Sequence, residues 1–135
     1  MKAHLTRRYI FSASHRLHRD ELTEEQNRTV YGKCSNPYGH GHNYALEVTV
    51  SGQVDPATGM VCNLVELDEA VRREIVDRFD HVNLNILPEF AGEVPTTENL
   101  SAIVFEILQQ SFTAAHLEKV RLEETAMNSF EYCST

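Results

Sequence analysis

Apolar residues recur at two different periods along this 135-residue chain, and the switches between them lay out a fold. Over residues 5–15 the period is two: Tyr9, Phe11, Ala13 and His15 share one face by parity, as they would on a strand. The alternation is cleaner from Tyr44 to Val50, with Tyr44, Leu46, Val48 and Val50 on one side and Ala45, Glu47, Thr49 and Ser51 on the other. Carried backwards, that parity puts His42 and His40 on the apolar face. Between these strands, Arg16 to Lys33 is polar, and Asp20 to Glu25 predicts a short helix inside a loop. Asp55-Pro56-Ala57-Thr58-Gly59 is turn chemistry, with Pro presetting φ and Gly free to adopt a positive one. The period then changes. Leu64, Leu67, Val71, Ile75 and Phe79 form a helical stripe, and Asp80 to Pro95 reads as a loop. Thr96 or Thr97 can cap a second helix carrying Leu100, Ile103, Val104, Ile107 and Leu108. Strands near 117–126 and 129–133 close the chain.

Two strands, two helices and two strands predict one α+β domain over 1–135, a four-stranded antiparallel sheet with both helices on one face. Such a sheet has open edges and one uncovered face, so neighbouring copies are expected to complete it.

A formal charge of −8 argues against a nucleic-acid partner, which wants a basic face, but leaves room for a small anion at a local cationic cluster. No apolar run approaches membrane-spanning length, and Met1-Lys2-Ala3-His4 does not open a signal peptide. Three cysteines without framework spacing are expected to be reduced thiols in a cytoplasmic protein.

The chemistry concentrates in His40-Gly41-His42, with His15 inward on the neighbouring strand. Two histidines at i and i+2 on a strand point the same way, and three imidazoles plus one open position is the pattern of a catalytic zinc. Gly41 is expected to keep that site uncrowded. Cys34, in Gly32-Lys33-Cys34-Ser35-Asn36-Pro37, is either a fourth ligand of a structural zinc or a base; Lys33 and a nearby metal are expected to lower its pKa. Asp80-His81 is either a helix C-terminal cap or a carboxylate–imidazole pair for proton transfer. Glu124 shares parity with Val120 and Leu122, and a carboxylate on the apolar face marks a ligand contact. His4, His18 and His116 are expected to be solvated, Cys62 to be core and Cys133 incidental.

Six segments, in this order along the chain, resemble the 6-pyruvoyltetrahydropterin synthase family: Phe11 to Leu17, Gly32 to Tyr44, Asp55 to Met60, Asp80-His81, Pro95 to Asn99 and Glu124-Thr125. The resemblance implies the tunnelling fold, in which three subunits close a barrel from their sheets and two trimers stack into a homohexamer with pockets at subunit interfaces. It implies Zn²⁺ on His15, His40 and His42, Cys34 as general base with Asp80 and His81 as its partners, and Glu124 as the anchor of the pterin ring, bordered by Thr96 and Thr97. Arg16, next to a ligand, is a weaker candidate for meeting phosphate. The implied reaction is a lyase step on 7,8-dihydroneopterin triphosphate that expels triphosphate and gives 6-pyruvoyltetrahydropterin, with no nicotinamide or flavin. The related 6-carboxytetrahydropterin synthases of 7-deazaguanine biosynthesis share these features but commonly have a shorter gap between the cysteine and the His-x-His pair. The five residues between Cys34 and His40 look more like the pyruvoyl-forming branch.

Overall fold

The computed structural model describes residues 1–134. Its architecture is α+β, with one mixed five-stranded sheet and three helices. Strand β1 (Lys2–His15) runs antiparallel to β2 (His40–Gln53) along their whole length, from Lys2 opposite Gln53 to His15 opposite His40. Strands β4 (His116–Thr125) and β5 (Asn128–Tyr132) extend the sheet beyond β2. The expected four antiparallel strands are therefore present, and a fifth joins them. Strand β3 (Val82–Asn83) lies parallel to β1 on its free edge, inside the segment expected to be a loop. Two residues are too short to show a period, so tertiary docking alone defines this strand.

Helix α1 (Glu24–Tyr31) occupies the polar loop, slightly later than Asp20 to Glu25 suggested. A capping box between Thr23 and Gln26 starts it. It buries only Asn27, whose amide holds Arg19, Leu22 and Thr23 carbonyls and so ties the loop together.

Helix α2 (Leu64–Val71) is capped by the Asn63 side chain. It continues without a break through a π turn (Arg72–Val76) and a last turn (Asp77–Phe79). Helix α3 (Thr97–Ser111) is capped by Thr96, the first of the two threonines proposed for that role. Both helices pack on one face of the sheet, where Leu67, Val71, Ile75, Phe79, Leu100, Val104 and Leu108 meet Phe11, Tyr44, Leu46 and Val48 in a single core. The other face is uncovered and polar: Arg8 pairs with Glu47 at 3.2 Å and Glu123 at 3.4 Å, and Arg121 reaches Glu47 at 3.2 Å. Ile10 is exposed among them, and both sheet edges are open, as expected of a sheet that further copies complete. No helix among the described residues is long and apolar enough to cross a membrane.

Candidate active site

The register of β1 against β2 builds the histidine cluster. His15 pairs directly with His40, and His42 lies two residues further on, opposite Ala13, so all three imidazoles rise on the helix-covered face. Their ligand atoms lie within 4.8 Å of one another, and the Nε2 atoms of His15 and His40 are 3.1 Å apart. Two ligands about 2.0–2.1 Å from one tetrahedral zinc stand at a similar spacing. The His15 Nδ1–H donates to the Pro95 carbonyl at 2.8 Å, which leaves its Nε2 lone pair facing the cluster. His42 Nε2 is buried without a hydrogen-bond partner. Burial pushes the pKa values of His15 and His40 down, and the neighbouring histidines add to that, so both imidazoles are held neutral, as metal ligands must be. The donor set fits a metal ion.

Gly39, rather than Gly41, is the glycine this arrangement requires. It has φ +72°, and a Cβ there would sit 3.0 Å from the His15 carbonyl oxygen. A Cβ at Gly41 would meet only ordinary contact, 3.6 Å from the Ala13 carbonyl.

Glu124 reaches the cluster as its parity implied: one carboxylate oxygen lies 3.7 Å from His42 Nε2, and the other accepts a hydrogen bond from the Thr97 hydroxyl. Thr97 is buried at the first position of α3, so the helix start fixes the carboxylate. Thr96 instead spends its hydroxyl as the cap, accepting from the Asn99 amide. Cys34 sits in the 3-10 turn Gly32–Ser35, half-buried and close enough to Glu124 to feel its charge. Its thiol pKa is raised, by burial first and by Glu124 second, where a lowered one was expected; Lys33 is exposed and does not act on it. Cys34 also lies outside the set of converging metal-ligating atoms, which disfavours a four-ligand structural zinc.

Asp80 and His81 are placed elsewhere. The Asp80 carboxylate accepts from the Ser12 amide at 2.8 Å and meets His81 Nδ1 at 3.0 Å. The Ser12 amide, with help from His81, holds the Asp80 carboxyl below its usual range. His81 is a non-glycine residue with φ +59° and its side chain is 82% exposed. It borders a groove of about 380 Å³ with Ser12, Ser14, Gly41 and Asn43, on the uncovered face of the sheet. One chain thus brings together His15, His40, His42, Glu124, Thr97 and Cys34, and leaves the Asp80–His81 pair facing outward.

Comparisons with known proteins decide the family. A family model described as 6-pyruvoyl tetrahydropterin synthase matches residues 4–134. The chain belongs to the 6-pyruvoyl tetrahydropterin synthase family. It is 46% identical over 132 residues to the 6-pyruvoyl tetrahydrobiopterin synthase of Homo sapiens, covering 97% of this chain and 91% of the relative. The solved structure of the Caenorhabditis elegans 6-pyruvoyl tetrahydropterin synthase superposes with a TM-score of 0.93 at 39% identity, covering 100% of this chain and 97% of that one. An Archaeoglobus fulgidus protein provisionally named 6-carboxy-5,6,7,8-tetrahydropterin synthase is 36% identical over 85 residues, 63% of this chain and 67% of the relative.

Some site features lay outside the reach of sequence reasoning. The Pro95 carbonyl that orients His15 comes from a residue 80 positions away, and no local pattern announces it. His18, expected in solvent, is half-buried and meets Asp20 at 3.1 Å.

Proposed function

We propose that this chain is a zinc-dependent lyase that converts 7,8-dihydroneopterin triphosphate to 6-pyruvoyltetrahydropterin and triphosphate, acting as a cytoplasmic homohexamer of two stacked trimers. The observation that carries the reading is the convergence of three imidazole nitrogens beside an inward carboxylate, in a chain of this family. His15, His40 and His42 would hold the zinc. When bound, zinc supplies Lewis acidity toward the hydroxyls of the substrate side chain and a positive charge that favours the Cys34 thiolate.

Glu124 accepts hydrogen bonds from the donor edge of the pterin ring, with Thr97 fixing its orientation. Cys34 Sγ takes a proton from a side-chain carbon next to a hydroxyl. Burial and Glu124 push the Cys34 thiol pKa up, against the pull of a bound zinc. Asp80 orients His81 through Nδ1, leaving Nε2 to exchange protons during the rearrangement. The two hydroxyl-bearing carbons end as carbonyls and lose four hydrogens: two reduce the C=N bond of the ring, one turns the terminal carbon into a methyl as its bond to the triphosphate oxygen breaks, and the last leaves as a proton with the triphosphate. Oxidation and reduction balance within one molecule. His81 faces away from Cys34 of its own chain, so the pair serves the pocket of a neighbouring copy across the open sheet edges.

Incubating metal-replete protein with 7,8-dihydroneopterin triphosphate and weighing the product tests this. The pyruvoyl product and triphosphate are expected; the carboxy product would place the chain in the other branch, and no turnover would remove the reading. Elemental analysis should find about one zinc per chain, largely lost in His42→Ala.

A further inference from the structure

Tyr44 is fully buried in the floor of the site, yet its hydroxyl has no hydrogen-bond partner. Few buried polar groups stay unpaired in a folded protein, and those that do often await a ligand. Three observations say where this one points. Tyr44 shares the inward face of β2 with His40 and His42, its ring edge-on to His42 at 5.7 Å between centroids. Ala45 pairs with Glu123, so Tyr44 and Glu124 are the next residues along the two paired strands. The ring is held from below by stacking on Phe11, 5.2 Å between centroids, so the phenol cannot swing to seek another partner. Thr97 lies near the phenol and gives its own proton to Glu124, but its oxygen is not within hydrogen-bonding geometry of the Tyr44 hydroxyl.

We infer that Tyr44 is a substrate-positioning residue whose hydroxyl donates a hydrogen bond to an acceptor atom of the pterin ring beside the donor edge that Glu124 holds. This rests on the pterin reading above. A pterin alternates donors and acceptors around its ring, so a carboxylate alone fixes one edge and leaves the ring free to pivot. A donor on the adjacent strand, beside both the carboxylate and the metal cluster, sets the angle at which the side chain reaches the zinc site. The free protein keeps an unsatisfied hydroxyl to do this.

Tyr44→Phe removes one oxygen and tests the inference with neopterin as the binding probe, alongside turnover, zinc content and melting temperature. Zinc should be unchanged and the melting point equal or higher, because the orphaned group is gone. Neopterin affinity should fall about three- to tenfold, the size of one neutral hydrogen bond, with KM rising in parallel and kcat falling less. A hydroxyl that matters only for packing, or that serves a trapped water, gives normal neopterin binding and KM, and that result overturns the inference. If the wild-type protein binds no neopterin and turns over no dihydroneopterin triphosphate, the pterin reading fails first and takes the inference with it.

Discussion

The two faces of the β1–β2 ribbon carry chemistry of opposite character. On the helix-covered face, odd residues of β1 and even residues of β2 bring His15, His40, His42 and Tyr44 side by side, next to Glu124 and Thr97. On the uncovered face, even residues of β1 and odd residues of β2 leave Ser12, Ser14, Gly41 and Asn43 around an exposed His81. The buried face is finished: its imidazoles converge, and the Pro95 carbonyl orients His15. The exposed face carries a strained imidazole at positive φ, anchored through Asp80 and bordering a groove. Strain of that kind, of order 1–3 kcal/mol, persists when surrounding structure enforces it, and it clusters at functional sites. The difference teaches that one chain gathers its converging imidazoles and an inward carboxylate on one face and leaves a carboxylate–imidazole pair exposed on the other.

The largest effect should come from Cys34→Ala, which removes a proton carrier from the finished pocket without touching its ligands. Turnover should drop by about 10²–10⁴-fold while zinc content and pterin binding stay near wild type. Loss of zinc would instead make Cys34 a ligand and revive the structural-metal alternative. Glu124→Gln should act more gently, since shape is kept and charge is lost. A charge-assisted hydrogen bond is worth roughly 1.5–3 kcal/mol, so pterin affinity should fall by about tenfold or more. Unchanged affinity would mean the inward carboxylate serves something other than the ring.

A smaller effect should appear away from both chemistries. Asp68 on α2 takes two hydrogen bonds at 3.0 Å from the Arg7 guanidinium and one at 2.6 Å from the Tyr9 hydroxyl, which hold its carboxyl at about 2. A depressed folded-state pKa contributes stability above the ordinary carboxylate range and loses it as pH falls from about 4 to about 2. Asp68→Asn should therefore cost about 1–2 kcal/mol at pH 7 by urea denaturation, and much less near pH 2, with turnover per folded molecule unchanged. An equal loss at both pH values would show that packing, not charge, holds α2 against β1.

Parity made the finished face legible. The alternation of β1 and β2 placed all three histidines inward, and that of β4 placed Glu124 beside them, because one buried face fixes strand register strongly. What escaped was set by contacts between distant segments. The two-residue β3 has no period to read, and without it nothing in the sequence says that Asp80 and His81 dock on the edge of β1 and face outward. Cys34 next to Lys33 suggested an activated thiol, but a side chain's neighbours in space decide its pKa, and here they are a buried pocket and Glu124. The same holds for glycine: the His-Gly-His motif drew attention to Gly41, whereas the close backbone approach falls at Gly39.

The central claim is that the finished pocket of one copy is completed by the Asp80–His81 pair of another. Cys34→Ala and His81→Ala proteins, each nearly inactive alone, can be unfolded together, refolded as mixed oligomers, and assayed on 7,8-dihydroneopterin triphosphate. Pockets shared between copies predict recovered activity, because some will pair an intact Cys34 with an intact His81. A mixture no more active than its two parents, in oligomers shown to contain both chains, would contradict the account.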